Sequence, residues 1–121
     1  MISAHIIKIA SDTSNYGIKN NSNFLATSKN KICGDKITVE LQIKKKIIEK
    51  MNYETESCIY CQASASLLSK SIKNKNINII PVILKVSFKD KKFKKLLENK
   101  KRINCVMLPF DAMQKAFDKK K

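Results

Sequence analysis

The residues best suited to chemistry in this 121-residue chain are its four cysteines and the carboxylate that follows the first of them. They fall into three clusters: Cys33-Gly34-Asp35, Cys58-Ile59-Tyr60-Cys61, and Cys105. Thiolates joined by a carboxylate are a donor set that a tetrahedral zinc site or an iron-sulfur cluster takes. Cys58 follows a run with strand periodicity, Ile47 to Tyr53, and precedes small and apolar residues with no breaker until Asn74, which places it at a helix start. A Cys there meets exposed backbone N–H groups and the positive end of the helix dipole, and both favour its thiolate. Gly34 lets the backbone turn so that Cys33 and Asp35 face one centre.

Spacing alone leaves other readings open. The intervals, 25 residues from Cys33 to Cys58 and 44 from Cys61 to Cys105, match no short zinc motif. A reduced Cys is often just a small buried hydrophobe. A thioredoxin-like redox pair at Cys58 and Cys61 would need a different fold around it, and the flanking residues do not support one.

The elements that must position these clusters follow from periodicity. Ile2, Ile6, Ile7 and Ile9 recur at helical spacing and predict a short N-terminal helix. Residues 11 to 31, rich in Ser, Asn, Thr and Lys, read as a loop anchored by Tyr16, Ile18, Phe24 and Leu25. From Lys36 to Lys44 the alternation of Ile37, Val39, Leu41 and Ile43 with polar residues predicts a strand with one buried and one wet face. A Lys-rich turn leads to a second strand over 47 to 54, with Ile47, Met51 and Tyr53 on one face, and hence an antiparallel hairpin. A helix from Cys58 to about Lys73 carries one stripe of Ala63, Leu67 and Ser71 and another of Ala65, Leu68 and Ile72. Residues 74 to 84 fit either a loop followed by a short helix near Pro81 or a strand, and Lys89 to Lys100 fits a helix. A terminal helix starts near Leu108, with Pro109 in its first turn and Phe110, Met113, Ala116 and Phe117 on its apolar stripe. No repeat and no second domain are visible, so residues 1–121 read as one domain.

Composition narrows the function classes. The apolar share of 43% is that of a folded protein, not a disordered one. The longest apolar run, Ile79 to Leu84, is far short of the roughly 20 residues a membrane span needs. The N-terminus lacks the pattern of a secretory signal, so the expected location is the cytoplasm and the expected cysteines are reduced thiols. The net charge of +15 comes from 25 basic residues, of which Arg102 alone is Arg. Bidentate reading of phosphate favours Arg, so a dedicated nucleic-acid function is not expected, whereas a basic face suits an acidic protein partner.

Three segments, in order, resemble the NifU N-terminal, IscU and SufU scaffold family. They are Cys33-Gly34-Asp35 opening a strand, Cys58 followed by Ala63-Ser64-Ala65-Ser66, and Arg102-Ile103-Asn104-Cys105 followed by Leu108 and Asp111-Ala112-Met113. The resemblance covers about Lys31 to Phe117. It implies an α+β fold, a three-stranded antiparallel sheet with helices packed on one side. It also implies a [2Fe-2S] cluster, iron or zinc held by Cys33, Asp35, Cys58 and Cys105, with Cys58 and Cys105 as candidate sulfur acceptors. The implied partners are a cysteine desulfurase and recipient apo-proteins, and the implied state is a monomer or weak dimer. The role is that of a scaffold without turnover of its own; a zinc-dependent sulfurtransferase and a degenerate regulatory member are the alternatives.

The chain departs from the family in places. Asn104 stands where the IscU branch has a His, the Leu-Pro-Pro-Val-Lys segment read by a chaperone is absent, and the insertion before Cys105 is shorter than in SufU. Asp35 would therefore complete a metal site in the SufU manner. Cys61 has no counterpart among the family's ligands; a buried small residue under the site is its plain reading, with a further ligand or a sulfur-relaying thiol as the sharper ones. Tyr60 and Gln62 are candidates to line the site, His5 reads as a surface or packing residue, and Tyr16 is a candidate counterpart of the N-terminal Tyr of some relatives whose role is not carried over across so divergent a loop.

Overall fold

The computed structural model describes residues 4–31 and 34–118. The elements run α1 (Ala4–Ala10), β1 (Phe24–Asn30), β2 (Asp35–Lys44), β3 (Ile47–Glu56), α2 (Ile59–Ile72) and β4 (Lys75–Asn76). A 3-10 segment (Ile77–Val82) then leads to α3 (Ile83–Phe88), α4 (Lys91–Leu97), a 3-10 turn (Lys100–Arg102) and α5 (Ile103–Asp118). The sheet is antiparallel throughout in the order β1-β2-β3-β4, three long strands and a two-residue fourth. This is the α+β fold expected, with a short edge strand added.

The β2–β3 hairpin closes through Lys45 and Lys46, both in the left-handed region at φ 52° and 65°. Two consecutive positive φ angles are what a two-residue hairpin turn needs to match the twist of its strands, here built without glycine. Ile37, Val39 and Leu41 of β2 are fully buried, as their alternation predicts. The partner strand corrects one expectation. Gln42 pairs with Lys50 but Ile43 with Ile48, so Glu49 is an extra residue. This bulge shifts the side-chain alternation by one position, so Ile48 joins Met51 and Tyr53 in the core while Ile47 is exposed.

The segment 11 to 31 is not all loop. Its last third is β1, pairing Phe24 with Leu41 through Asn30 with Asp35. Residues 19 to 22 cover part of the sheet face expected to be wet. There Glu40, fully buried, accepts the backbone N–H groups of Lys19 and Asn20 on Oε1 and of Asn21 and Ser22 on Oε2, at 2.8 to 3.1 Å. Four converging amide donors replace the water that a carboxylate loses on burial.

On the opposite face α2 and α5 pack against each other and the sheet, with Leu68, Ile72, Val106, Met113 and Ala116 buried between them and the strands. The small residues of α2 allow close approach: Ser64 Oγ donates to the Val106 carbonyl at 2.6 Å, and Ser66 Oγ to the Asp12 carbonyl at 3.1 Å. Asn74, at φ 64°, ends α2 and donates its N–H to Ile48 O at 2.7 Å. Residues 74 to 84, open between loop-then-helix and strand, form the two-residue β4, the 3-10 segment and the start of α3. The Lys89–Lys100 helix is α4, capped by Asp90, whose side chain accepts from the N–H groups of Lys92 and Phe93.

The terminal helix starts at Ile103, five residues before the expected Leu108, and Pro109 lies in its interior. Pro109 has no N–H to return to the carbonyl of Cys105, four residues back, so proline marks this helix without starting it. Cys105 therefore sits in the first turn of α5 and not ahead of it.

Candidate metal centre

Three elements deliver the candidate ligands to one end of the sheet. Asp35 opens β2 directly after Gly34, whose φ of +75° is a conformation that L side chains rarely adopt. A Cβ at Gly34 would meet nothing within 4 Å, so the backbone angle and not space calls for glycine there. Cys58 is the N-cap of α2, with φ −71° and ψ 165°, and its side chain makes no capping hydrogen bond. Its carbonyl instead accepts the N–H groups of Cys61 and Gln62 at 3.1 and 3.2 Å, which starts the helix without using the sulfur.

One ligand atom each from Asp35, Cys58 and Cys105 lies within 4.8 Å of the other two. Two sulfurs on one zinc lie about 3.8 Å apart, given Zn–S bonds of about 2.3 Å in a tetrahedron. The cluster is thus close to ligating dimensions and needs only small side-chain rotations to reach them. Asp35 and Cys105 are buried and Cys58 is half-buried, which leaves one side from which an ion or a sulfur donor can approach. Asp35 Oδ1 accepts the Cys58 N–H at 3.2 Å, while Oδ2 is buried with no hydrogen-bond partner among the described residues. A buried carboxylate oxygen without such a partner is unfavourable by itself, and a cation bound there would offset that cost. Burial pushes the Cys105 thiol strongly upward, and hydrogen bonding and charge from Asp35 and Cys58 push the same way. Without a cation the trio therefore keeps Cys105 protonated; a bound metal reverses that balance by drawing off the proton. The residues present fit a thiophilic metal ion.

Cys33, the fourth expected ligand, lies outside the described residues. Cys61 is fully buried one turn along α2, its Sγ 3.8 Å from Thr55 Oγ1, and it is not part of the trio. Burial raises its pKa to about 11, against hydrogen bonds from Ser57 and Thr55 that lower it. Tyr60 is buried and its hydroxyl accepts from Asn99 Nδ2 at 3.3 Å, and Gln62 Nε2 donates to the Ser57 carbonyl at 3.1 Å; both serve packing and the helix start. His5 is exposed on α1. Tyr16 packs edge-on against Tyr53 at 5.4 Å, and its hydroxyl lies 3.3 and 3.4 Å from the backbone N and O of Thr55. Asn104 faces a shallow surface basin with Lys29, Asn30, Lys31, Met107, Leu108 and Asp111.

One positioning residue carried no chemical signal in the sequence. Asp111 Oδ2 accepts from Ser28 Oγ at 2.6 Å and pairs with Lys115, tying α5 to β1 and so fixing where Cys105 stands.

The NifU-like N terminal domain family matches residues 2–121. The zinc-dependent sulfurtransferase SufU of Bacillus subtilis is 35% identical over 63 residues, a stretch covering 52% of this chain and 42% of that protein. Among solved structures, a putative iron-sulfur cluster assembly scaffold protein for the SUF system from Fervidobacterium islandicum superposes with TM-score 0.78 at 18% identity, covering 93% of each chain. The N-terminal NifU-like protein of Brucella abortus superposes with TM-score 0.81 at 19% identity, covering 97% of this chain and 92% of that one.

Proposed function

Because this chain belongs to the NifU-like N-terminal domain family, we propose that it is a cytoplasmic iron-sulfur cluster assembly scaffold. It takes sulfur from a cysteine desulfurase onto Cys58 or Cys105, holds iron or a [2Fe-2S] cluster as cargo on Cys33, Asp35, Cys58 and Cys105, and passes it to recipient apo-proteins. The observation that carries the reading is the meeting of Asp35, Cys58 and Cys105 within 4.8 Å, with Asp35 Oδ2 buried and without a hydrogen-bond partner among the described residues.

The residues divide the work by chemistry. Cys58, half-buried at the N-terminus of α2, is the thiol that an incoming persulfide reaches first. Cys105, buried behind it, holds its proton until a cation arrives. Asp35 adds a hard oxygen to a set of soft thiolates, and the mismatch weakens retention. Weak retention is what a donor of clusters requires.

The second reading is a zinc-dependent sulfurtransferase, favoured by the 35% identity to the Bacillus subtilis protein. In it zinc orders the same residues and the thiols carry sulfur only. Anaerobic purification with metal analysis and a visible absorption spectrum separates the two: iron, acid-labile sulfide and colour for the scaffold, stoichiometric zinc without colour for the sulfurtransferase. A colourless, zinc-free protein that does not change desulfurase turnover would sink both and leave a degenerate member of the fold.

A further inference from the structure

We propose that Cys61 is a resolving thiol, which reduces a persulfide on Cys58 to free sulfide by forming a Cys58–Cys61 disulfide. The proposal rests on the sulfur-acceptor reading above and adds to it the source of two electrons.

Placement is the first argument. Cys58 caps α2 and Cys61 lies one turn on, so both side chains address the same end of the helix. Cys58 is the N-cap and Cys61 the third helical residue, the two positions that meet in a capping box, so the two side chains share one neighbourhood from which a disulfide, with its Cβ atoms about 3.5–4.5 Å apart, can form. The Cys58 sulfur is not tied down by a capping bond and can turn either to the metal trio or to Cys61.

The surroundings of Cys61 are the second argument. Its sulfur is completely buried, so soluble thiols and oxidants cannot reach it, while its neighbour on the helix can. It contacts Thr55 Oγ1 at 3.8 Å, and Thr55 Oγ1 lies 2.6 Å from Ser57 Oγ, on a residue that is half-buried beside Cys58. These hydroxyls form a path along which the thiol proton leaves as the sulfur attacks. A cysteine serving only as a small apolar filler has no use for such a path.

The step balances as follows. Cys58 first accepts a sulfane sulfur from a persulfide donor and becomes Cys58–S–SH. The Cys61 sulfur, its proton relayed through the Thr55 and Ser57 hydroxyls to solvent, attacks the inner sulfur of Cys58; the persulfide S–S bond breaks and hydrosulfide leaves. The outer sulfur gains two electrons, and the two cysteines lose two in becoming a disulfide. An external dithiol reductant returns the pair to its starting state.

The test uses the full-length, reduced, metal-free chain under anaerobic conditions, with glutathione persulfide as donor and small thiols removed by rapid desalting. Sulfide released and the state of the tryptic peptide from Met51 to Lys70, which contains Cys58 and Cys61 alone among the cysteines, are measured together. The expected result is sulfide close to stoichiometric with protein and a peptide lighter by two hydrogens. In Cys61→Ala and Cys61→Ser the peptide should keep the extra sulfur, and sulfide release should fall by at least about tenfold. Unchanged sulfide release in both variants, or a wild-type disulfide from Cys58 to Cys33 or Cys105, overturns the proposal without touching the acceptor reading. Absence of sulfide release and of a disulfide in the wild type, together with no persulfide on Cys58 in the variants, overturns both, and a zinc titration of the same sample then reports on the metal site independently. The wild-type peptide map decides even if neither variant folds.

Discussion

Asp35 and Cys58, 23 residues apart, are joined by a hydrogen bond from the Cys58 backbone N–H to Asp35 Oδ1 at 3.2 Å. This bond fixes the start of β2 against the start of α2, while Oδ2 is buried with no hydrogen-bond partner among the described residues. The carboxylate is thus a structural clip and, in the proposed function, a metal ligand as well.

Asp35→Ala should lengthen the life of a bound cluster, since it removes the hard oxygen donor. Decay of visible absorbance in the presence of a chelator measures this. Decay as fast as in the wild type would count against Asp35 as the labile ligand.

Alkylation of the reduced, metal-free protein at neutral pH should label Cys58 well before Cys61 and Cys105, by more than about tenfold, because thiolate fraction and access fall together. Peptide mass mapping over time reads the order. Zinc added beforehand should protect Cys58; equal labelling with and without zinc would argue that Cys58 is not a ligand.

Cys61 gives a pH signature. Its pKa rises from its ordinary 9.0 to about 11 on folding, so the folded state holds the proton more tightly. Its contribution to stability is complete below pH 9 and is lost as pH rises to 11, a loss of about 2–3 kcal/mol. Denaturant titrations of wild type and Cys61→Ala should therefore differ by an amount that shrinks across that window. A constant difference would show that Cys61 does not titrate with unfolding.

Glu40→Gln should destabilise the fold by about 2 kcal/mol or more, since a neutral amide cannot accept two pairs of backbone donors as a carboxylate does. Amide hydrogen exchange should lose protection at Lys19 to Ser22 first. Unchanged protection there would mean that the loop is held by other contacts.

Much of this protein was legible from pattern because pattern reports local burial. The alternation of Ile37, Val39 and Leu41, the helix starting at Cys58, the N-terminal helix and the terminal apolar stripe all appear where periodicity placed them. Where a polar residue is buried by a distant segment, or an element is polar by composition, periodicity is silent. Strand β1, Phe24-Leu-Ala-Thr-Ser-Lys-Asn30, reads as loop because its pairing with β2 and its cover by α5 hold it in place. Glu40 reads as solvent-facing because the loop that buries it is 18 to 21 residues earlier in the chain.

The sequence by itself determined the donor types, their order, the glycine that turns the chain before Asp35 and the thiol at a helix start. Tertiary structure alone decided that Asp35, Cys58 and Cys105 meet while Cys61 stands behind them against Thr55. The reason is geometric. Periodicity says which face of an element is buried, but the distance between residues 23 and 47 positions apart depends on sheet register, helix packing and ties such as Ser28 to Asp111, to which short-range pattern is blind.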